Sequence, residues 1–356
     1  MTVLENNSRD HSLSGGPAID FAPSGASRFT SIVFRAREFG IFGILVVFVL
    51  ITTAIKPRFL AAQNIKFILI DTTIFALLAL GETMVVISKN VDLSIGSILG
   101  ISAFVSSNLY QQFHHISILL VFTTGIGIGL VFGLINGVLV AFGRVPSLVV
   151  TLASLYIIRG IDVLYVGGQQ VVASSLPSNF LSVTSSSLCP VPIISIVVAI
   201  VIFVCSYYLK NYRSGRDLYA IGSSDLAAGL VGIPIAKRVF TSFALSGMIA
   251  GLAGVIWASY YGTVDSTAGT GYEFTVVTAV VVGGVAIFGG SGSAVGAAIG
   301  ALLLNTINSS LYVLGVSAFW DQAISGLLLI LAIALDRGLG LYVAKSLRKR
   351  SSRVAS

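Results

Sequence analysis

Few side chains in this sequence are of a type that does chemistry, and most of them sit inside long apolar stretches. Asp71 and Glu82 lie eleven residues apart, close to three helical turns, so they share one face of a single segment. An ionisable group at the centre of such a segment costs roughly 2.5–3.5 kcal/mol on insertion scales and is kept for a partner or a water-filled path. Two readings stand level. Either the pair lines an aqueous path, or Asp71 sits near an interface while Glu82 pairs with a polar neighbour. Arg159 and Asp162, three residues apart, are placed to neutralise one another as a structural ion pair. Asp321 beside Trp320 falls at a predicted membrane interface, where a charge stays hydrated.

Reaction centres are missing from the pattern. There is no G-x-x-x-x-G-K-[ST] loop, no H-E-x-x-H and no paired cysteine ligands. The histidines are His11, His114 and His115, none within an apolar run, so an intramembrane nucleophile would lack an imidazole base. Cys189 and Cys205 are sixteen residues apart with Cys205 in an apolar run, which argues against a metal or disulfide role. The expectation is a chain with no catalytic residue, no metal and no cofactor of its own. ATP, if it drives this protein, is hydrolysed by another subunit.

The elements that carry these residues follow from composition. The 356 residues are 55% hydrophobic and 10% charged, with a mean hydropathy of +0.96, against about a quarter charged in soluble domains. A span needs about 20 mostly apolar residues. Ten such segments are predicted, near 39–55, 67–88, 93–110, 116–142, 148–166, 191–209, 240–260, 274–288, 293–314 and 319–335. The fold class is all-α, a polytopic membrane protein of about ten transmembrane helices. The eighth span is short and ends in Gly283, Gly284, Gly289 and Gly290, as a bent or re-entrant helix would.

Residues 1–38 lack the apolar core of a signal peptide and are expected to form a disordered cytoplasmic tail. Residues 39–336 are expected to form one membrane domain with a long charged loop at 210–239, and 337–356 a basic tail. The net charge of +7 follows membrane topology rather than a nucleic-acid surface. Of the 21 Lys and Arg, only Lys56, Arg58 and Lys66 fall outside if both termini are cytoplasmic, with Arg159 within a span. Gly125, Gly129, Gly133 and Gly137 repeat every four residues, a stripe that lets another helix approach closely, and Gly292, Gly296 and Gly300 repeat the device.

Three segments resemble the permeases of ribose-type, binding-protein-dependent ABC importers, the family of ribose, xylose, rhamnose and autoinducer-2 carriers. Asn90-Val91-Asp92-Leu93-Ser94-Ile95-Gly96-Ser97 is similar to that family's G-I-D-L-S-V-G-S signature, with Asn90 in place of the usual Gly, as in the rhamnose and autoinducer-2 branch. Asn136-Gly137, Pro146, Thr151-Leu152, Arg159-Gly160 and Gly167-Gly168 match its second run. Arg216, Gly222, Ala227-Ala228 and Gly232 match its cytoplasmic coupling segment, with Gly229 where a basic residue is usual.

The resemblance implies a bacterial inner-membrane permease with ATP-binding cassette subunits that hold ATP and Mg, an extracytoplasmic solute-binding protein and a second permease subunit. It puts rhamnose or autoinducer-2 first as solute, then ribose or xylose. A short helix over 225–231 would fit a groove of the ATPase and carry its motion to the spans. The alternative is an ion-coupled secondary transporter using Asp71, Glu82 and the broken eighth span.

Overall fold

The computed structural model describes residues 25–113, 115–188, 191–317, 320, 322–334 and 337–338. The expectations for 1–24 and 339–356, and those for His114, Cys189 and Asp321, lie outside these residues. The chain is an all-α polytopic membrane protein, with one two-residue hairpin pairing Ser187–Leu188 with Val191–Pro192.

The helices are α1 (Gly25–Ile55), α2 (Ala62–Ile87), α3 (Ile95–Gln112), α4 (Ile118–Ala141), α5 (Ser147–Val166), α6 (Ser178–Ser185), α7 (Ile193–Asn211), α8 (Arg213–Ser223), α9 (Asp225–Leu230), α10 (Ile235–Tyr261), α11 (Tyr272–Val282), α12 (Ala294–Leu314) and α13 (Gln322–Ala334). Among the described residues six helices, α2, α4, α5, α7, α10 and α12, are long and apolar enough to cross a membrane. Shorter apolar helices occupy 40–55, 272–282 and 322–334.

At the centre, α10 lies along α4, α3 and α2. The approach to α4 is backbone to backbone. A Cβ on Gly129 would collide with the carbonyl of Gly247, one on Gly133 with that of Phe243, and one on Gly251 with that of Gly125. The α4 stripe therefore meets a second one on α10, Gly247 and Gly251, which the sequence reading passed over. In lipid no hydrophobic force drives helices together, so such contact area is what holds them. Gly137 approaches Phe240 more loosely, with a Cβ at 3.0 Å from its carbonyl oxygen. Gly296 and Gly300 serve the α11–α12 contact, where Gly283 and Gly300 leave no room for a Cβ. Gly292 does not join them: it sits before α12 at φ +135° in a turn.

The eighth segment is where helix gives way to turn. It is helical only from Tyr272 to Val282, not to 288, because Gly284, Gly289, Gly290 and Gly292 take positive φ and close a tight turn before α12. On its other side the chain from α10 is irregular over 262–271. Val264 bridges Val171 at one end of the bundle, while Gly269 reaches the first turn of α3, where a Cβ on Gly96 would strike the Gly269 carbonyl. Non-helical backbone at such depth is tolerated only inside protein or beside water. Arg159 supplies the partner: its Nη1 donates to the carbonyls of Ser266 at 3.0 Å and Ala268 at 2.8 Å. It also stands 3.7 Å from the buried Asp162 carboxylate.

Two outcomes follow, both read by thermal unfolding of the purified chain in detergent. Gly129→Ala should lower stability by about 1–3 kcal/mol through overpacking, while Gly127→Ala, with nothing within 4 Å of its Cβ, should leave the transition unmoved. Arg159→Met should cost about 3 kcal/mol by orphaning Asp162 and two carbonyls. Arg159→Lys should recover only part of this, because an ammonium lacks the guanidinium fork.

Candidate functional site

The loop between α7 and α10 folds as two short helices because of its local sequence. α7 stops at Tyr212, whose extended backbone lets α8 start in a new direction. Ser224 breaks α8, and its Oγ accepts the Ala227 amide at 3.2 Å, capping α9, with Asp225 favourable in the first turn. Gly232, at φ +78°, ends α9 while the Ile233 amide returns to the Ala228 carbonyl at 3.0 Å. Pro234 then starts α10. The outer surface of this turn is apolar: Leu226 is 77% exposed, Leu230 82% and Val231 73%. Ala228 is buried beneath them and Ala227 is exposed.

α8 is the seat of that tip. A Cβ on Gly222 would collide with the Ile87 carbonyl and the Gly290 amide, so α8 rests directly on the end of α2 and on the turn before α12. The Gly290 amide donates to Ile87 O at 2.9 Å. Tyr219, whose phenol burial pushes up to about 12, donates as a neutral hydroxyl to Gly292 O at 3.1 Å. Arg238 Nε holds Asp217 at 2.8 Å, fastening α8 to the start of α10. Arg216 stands apart from the α9 tip, on the other side of α8, facing α7 and the glycine turn. Gly229 has only the Ile235 side chain near it, 3.7 Å from an added Cβ.

Beside α9 lies a cleft of about 730 Å³ lined by Lys89, Arg144, Asp225 and Leu226, among others. Lys89 at φ +66° and Arg144 at φ +55° are the non-glycine residues with positive φ among those described. Each follows a helix C-terminus, where glycine is usual and a side chain costs roughly 1–2 kcal/mol. Each also places a cation at the negative end of the helix dipole.

Above this cleft the 90–97 segment forms a buried polar knot. Asp92 accepts from the amide and hydroxyl of Ser94 at 3.0 and 2.6 Å and from Ser246 of α10 at 3.3 Å. Asn136 of α4 donates to Ser94 Oγ at 2.8 Å and accepts from Ser154 of α5. Ser97 donates to the Leu155 carbonyl at 3.0 Å. Four helices, α3, α4, α5 and α10, thus meet on seven residues, and Gly96 is small because the Glu273 carboxylate and the Gly269 carbonyl fill the space a Cβ would need. Asn136 was quoted from sequence only as part of the second run, and Ser154 and Ser246 were not singled out. A hydroxyl in an apolar helix is too common to mark.

The structure separates Asp71 from Glu82. Glu82 is fully buried and its Oε1 accepts the Asp92 amide at 3.1 Å. Asp71 is half-buried and accepts from Tyr261 at 3.1 Å. Around Asp71 stands a group of rings: Tyr261 on Trp257 at 4.5 Å, Phe75 on Tyr272 at 4.5 Å, and Trp257 Nε1 donating to Tyr272 at 3.1 Å. Aromatic faces beside a carboxylate suit a ligand with both C–H faces and hydroxyl groups.

Much of the chain is similar in sequence to known permeases. Residues 64–333 match a family described as the branched-chain amino acid transport system / permease component. The chain is 33% identical over 298 residues to the ribose import permease protein of Haemophilus influenzae, covering 83% of this chain and 92% of that one. It is 31% identical over 296 residues to the ribose import permease protein of Escherichia coli, covering 82% and 91%. With the autoinducer 2 import system permease protein of an Enterobacter species it shares 31% over 304 residues, covering 85% and 88%. No solved structure matches. A matched stretch that runs from the first turn of α2 to near the end of α13 places this chain in the sugar ABC importer permease family, as a transporter subunit rather than an enzyme.

Proposed function

We propose that this chain is the membrane-spanning subunit of a bacterial inner-membrane importer that moves a monosaccharide or sugar-like solute inward. ATP is hydrolysed by a separate cassette subunit that holds ATP and Mg. The observation that carries the reading is α9: three exposed apolar side chains on a capped helix whose base is fastened to α2, α10 and the turn before α12. Such a tip fits a groove on a partner, and its seat can pass rigid-body motion to the spans. Ala227, Ala228 and Gly232 shape the tip, Gly222 sets the seat, and Arg216 flanks it. The basic end is cytoplasmic, both termini lie there, and ten helical segments traverse or enter the bilayer. A solute-binding protein delivers cargo at the opposite end, and a second permease subunit completes the path.

Asp71 with Tyr261, Tyr272 and Trp257 is the solute-facing group. Asp71 lies nine residues into α2, about 13 Å along a helix rising 1.5 Å per residue. A carboxylate at that depth looks onto water or cargo rather than acyl chains. The relatives' solutes, ribose and autoinducer-2, bear several hydroxyls, and Asn90 favours the rhamnose and autoinducer-2 branch.

Proteoliposomes holding this chain, the cassette subunit and the binding protein should take up solute only with ATP. Uptake by the chain alone under a proton gradient would instead establish a secondary transporter. Ala227→Glu and Leu230→Asp should each reduce ATP-driven uptake by roughly tenfold or more while the folded permease persists, since a charge on the tip is not accepted by an apolar groove. Undiminished uptake would refute the coupling role. For the path, Asp71→Asn should cut uptake by roughly tenfold through loss of a charged hydrogen bond, whereas Glu82→Gln should lower the yield of folded protein more than uptake per molecule.

A further inference from the structure

Behind α8, away from α9, a cleft of about 610 Å³ opens between the end of α7, α8 and the turn before α12. Among the described residues its charged lining consists of Lys210 and Arg216, both exposed, with no acidic side chain. Neither cation enters an ion pair among the described residues; the acid of α8, Asp217, is held by Arg238. The floor is main chain, because Gly284, Gly290 and Gly292 adopt φ of +98°, +79° and +135° and carry no Cβ. Tyr219 takes the Gly292 carbonyl and Ile87 takes the Gly290 amide. Among the described residues no acceptor is recorded for the amides of Ser291 and Gly292, so both stay available in the lining.

What leads into the cleft is apolar. Along α7, Val197, Ile200, Phe203, Val204 and Tyr207 are all exposed, and this strip ends at Ser206 and Lys210 on the cleft's rim. A free phosphate would use the cations and amides but not the strip. An anionic lipid uses both, with its phosphate between cations at the membrane boundary and an acyl chain along the helix.

We propose that this cleft binds the headgroup of an anionic phospholipid, with Lys210 and Arg216 on the phosphate and one chain lying on α7. The proposal rests on the reading that the basic end faces the cytoplasm, but its test needs neither ATPase nor solute.

The full chain, purified in detergent, is titrated with phosphatidylglycerol and with phosphatidylcholine, and retained lipid is counted by native mass spectrometry. Phosphatidylglycerol should bind roughly tenfold or more tightly than phosphatidylcholine. The double variant Lys210→Gln/Arg216→Gln should lose that preference, with its thermal transition in phosphatidylcholine unchanged, and Arg213→Gln, outside the cleft lining, should keep it. Phe203→Ser should weaken both lipids alike. Preference undiminished in the double variant would overturn the proposal. So would displacement of phosphatidylglycerol by millimolar inorganic phosphate, which would make this a free-anion site. If lipid binding holds while the complex shows no ATP-driven uptake, the transport reading fails and this one stands.

Discussion

In hydrocarbon every peptide N–H and C=O must find a partner within the protein, because an unpaired one costs several kcal/mol. Most of this chain meets that demand by being helical. Among its departures from helix are 88–94, 262–271 and 283–293, and in each particular groups bind part of the open backbone. Asp92 and Glu82 take the amides of the first, and Arg159 takes the carbonyls of the second. In the third, Gly290 and Gly292 are bound by the end of α2 and by Tyr219 of α8. The charges within the bundle are therefore largely the cost of breaking helices there.

Those same closures link the two ends of the molecule. The first break is tied to α4, α5 and α10 through Asn136, Ser154 and Ser246. The third is tied to α8, which carries α9. A displacement of α9 reaches α2 through Gly222 and Ile87 with no flexible side chain between them, since both contacts are main chain. Close-packed contacts of this kind do not absorb movement; they pass it on or shift between alternatives. The glycine-rich α4–α10 interface is similarly stiff, so α10, rooted beside Asp217 and ending at Tyr261 near Asp71, connects the α8–α9 turn to the ring cluster within one helix.

Helices were legible in the sequence because twenty-residue apolar runs admit no other backbone solution, whereas the helix over 225–231 came from the family resemblance, and the structure shows Ser224 capping it and Gly232 ending it. The four-residue glycine period on α4 likewise announced a close contact, though its mate, Gly247 and Gly251, offers only one repeat. Arg159 was read as half of an ion pair, and its spacing to Asp162 shows nothing else. Its two carbonyl partners, Ser266 and Ala268, lie more than a hundred residues away, where no local pattern points back. Whether Asp71 and Glu82 differ stayed open between two readings for the same reason. One helical face gives both carboxylates the same address, and only the tertiary neighbours, Tyr261 for one and the Asp92 amide for the other, set them apart.

Lys89 and Arg144 show how the two scales meet. Local preference would place glycine after α2 and after α4, and a left-handed lysine or arginine gives up roughly 1–2 kcal/mol that glycine would keep. Part of this returns through the helix dipole, worth about 0.3–1 kcal/mol for an exposed cation. Among the described residues neither side chain enters an ion pair. Both cations instead border the cleft beside the exposed tip of α9.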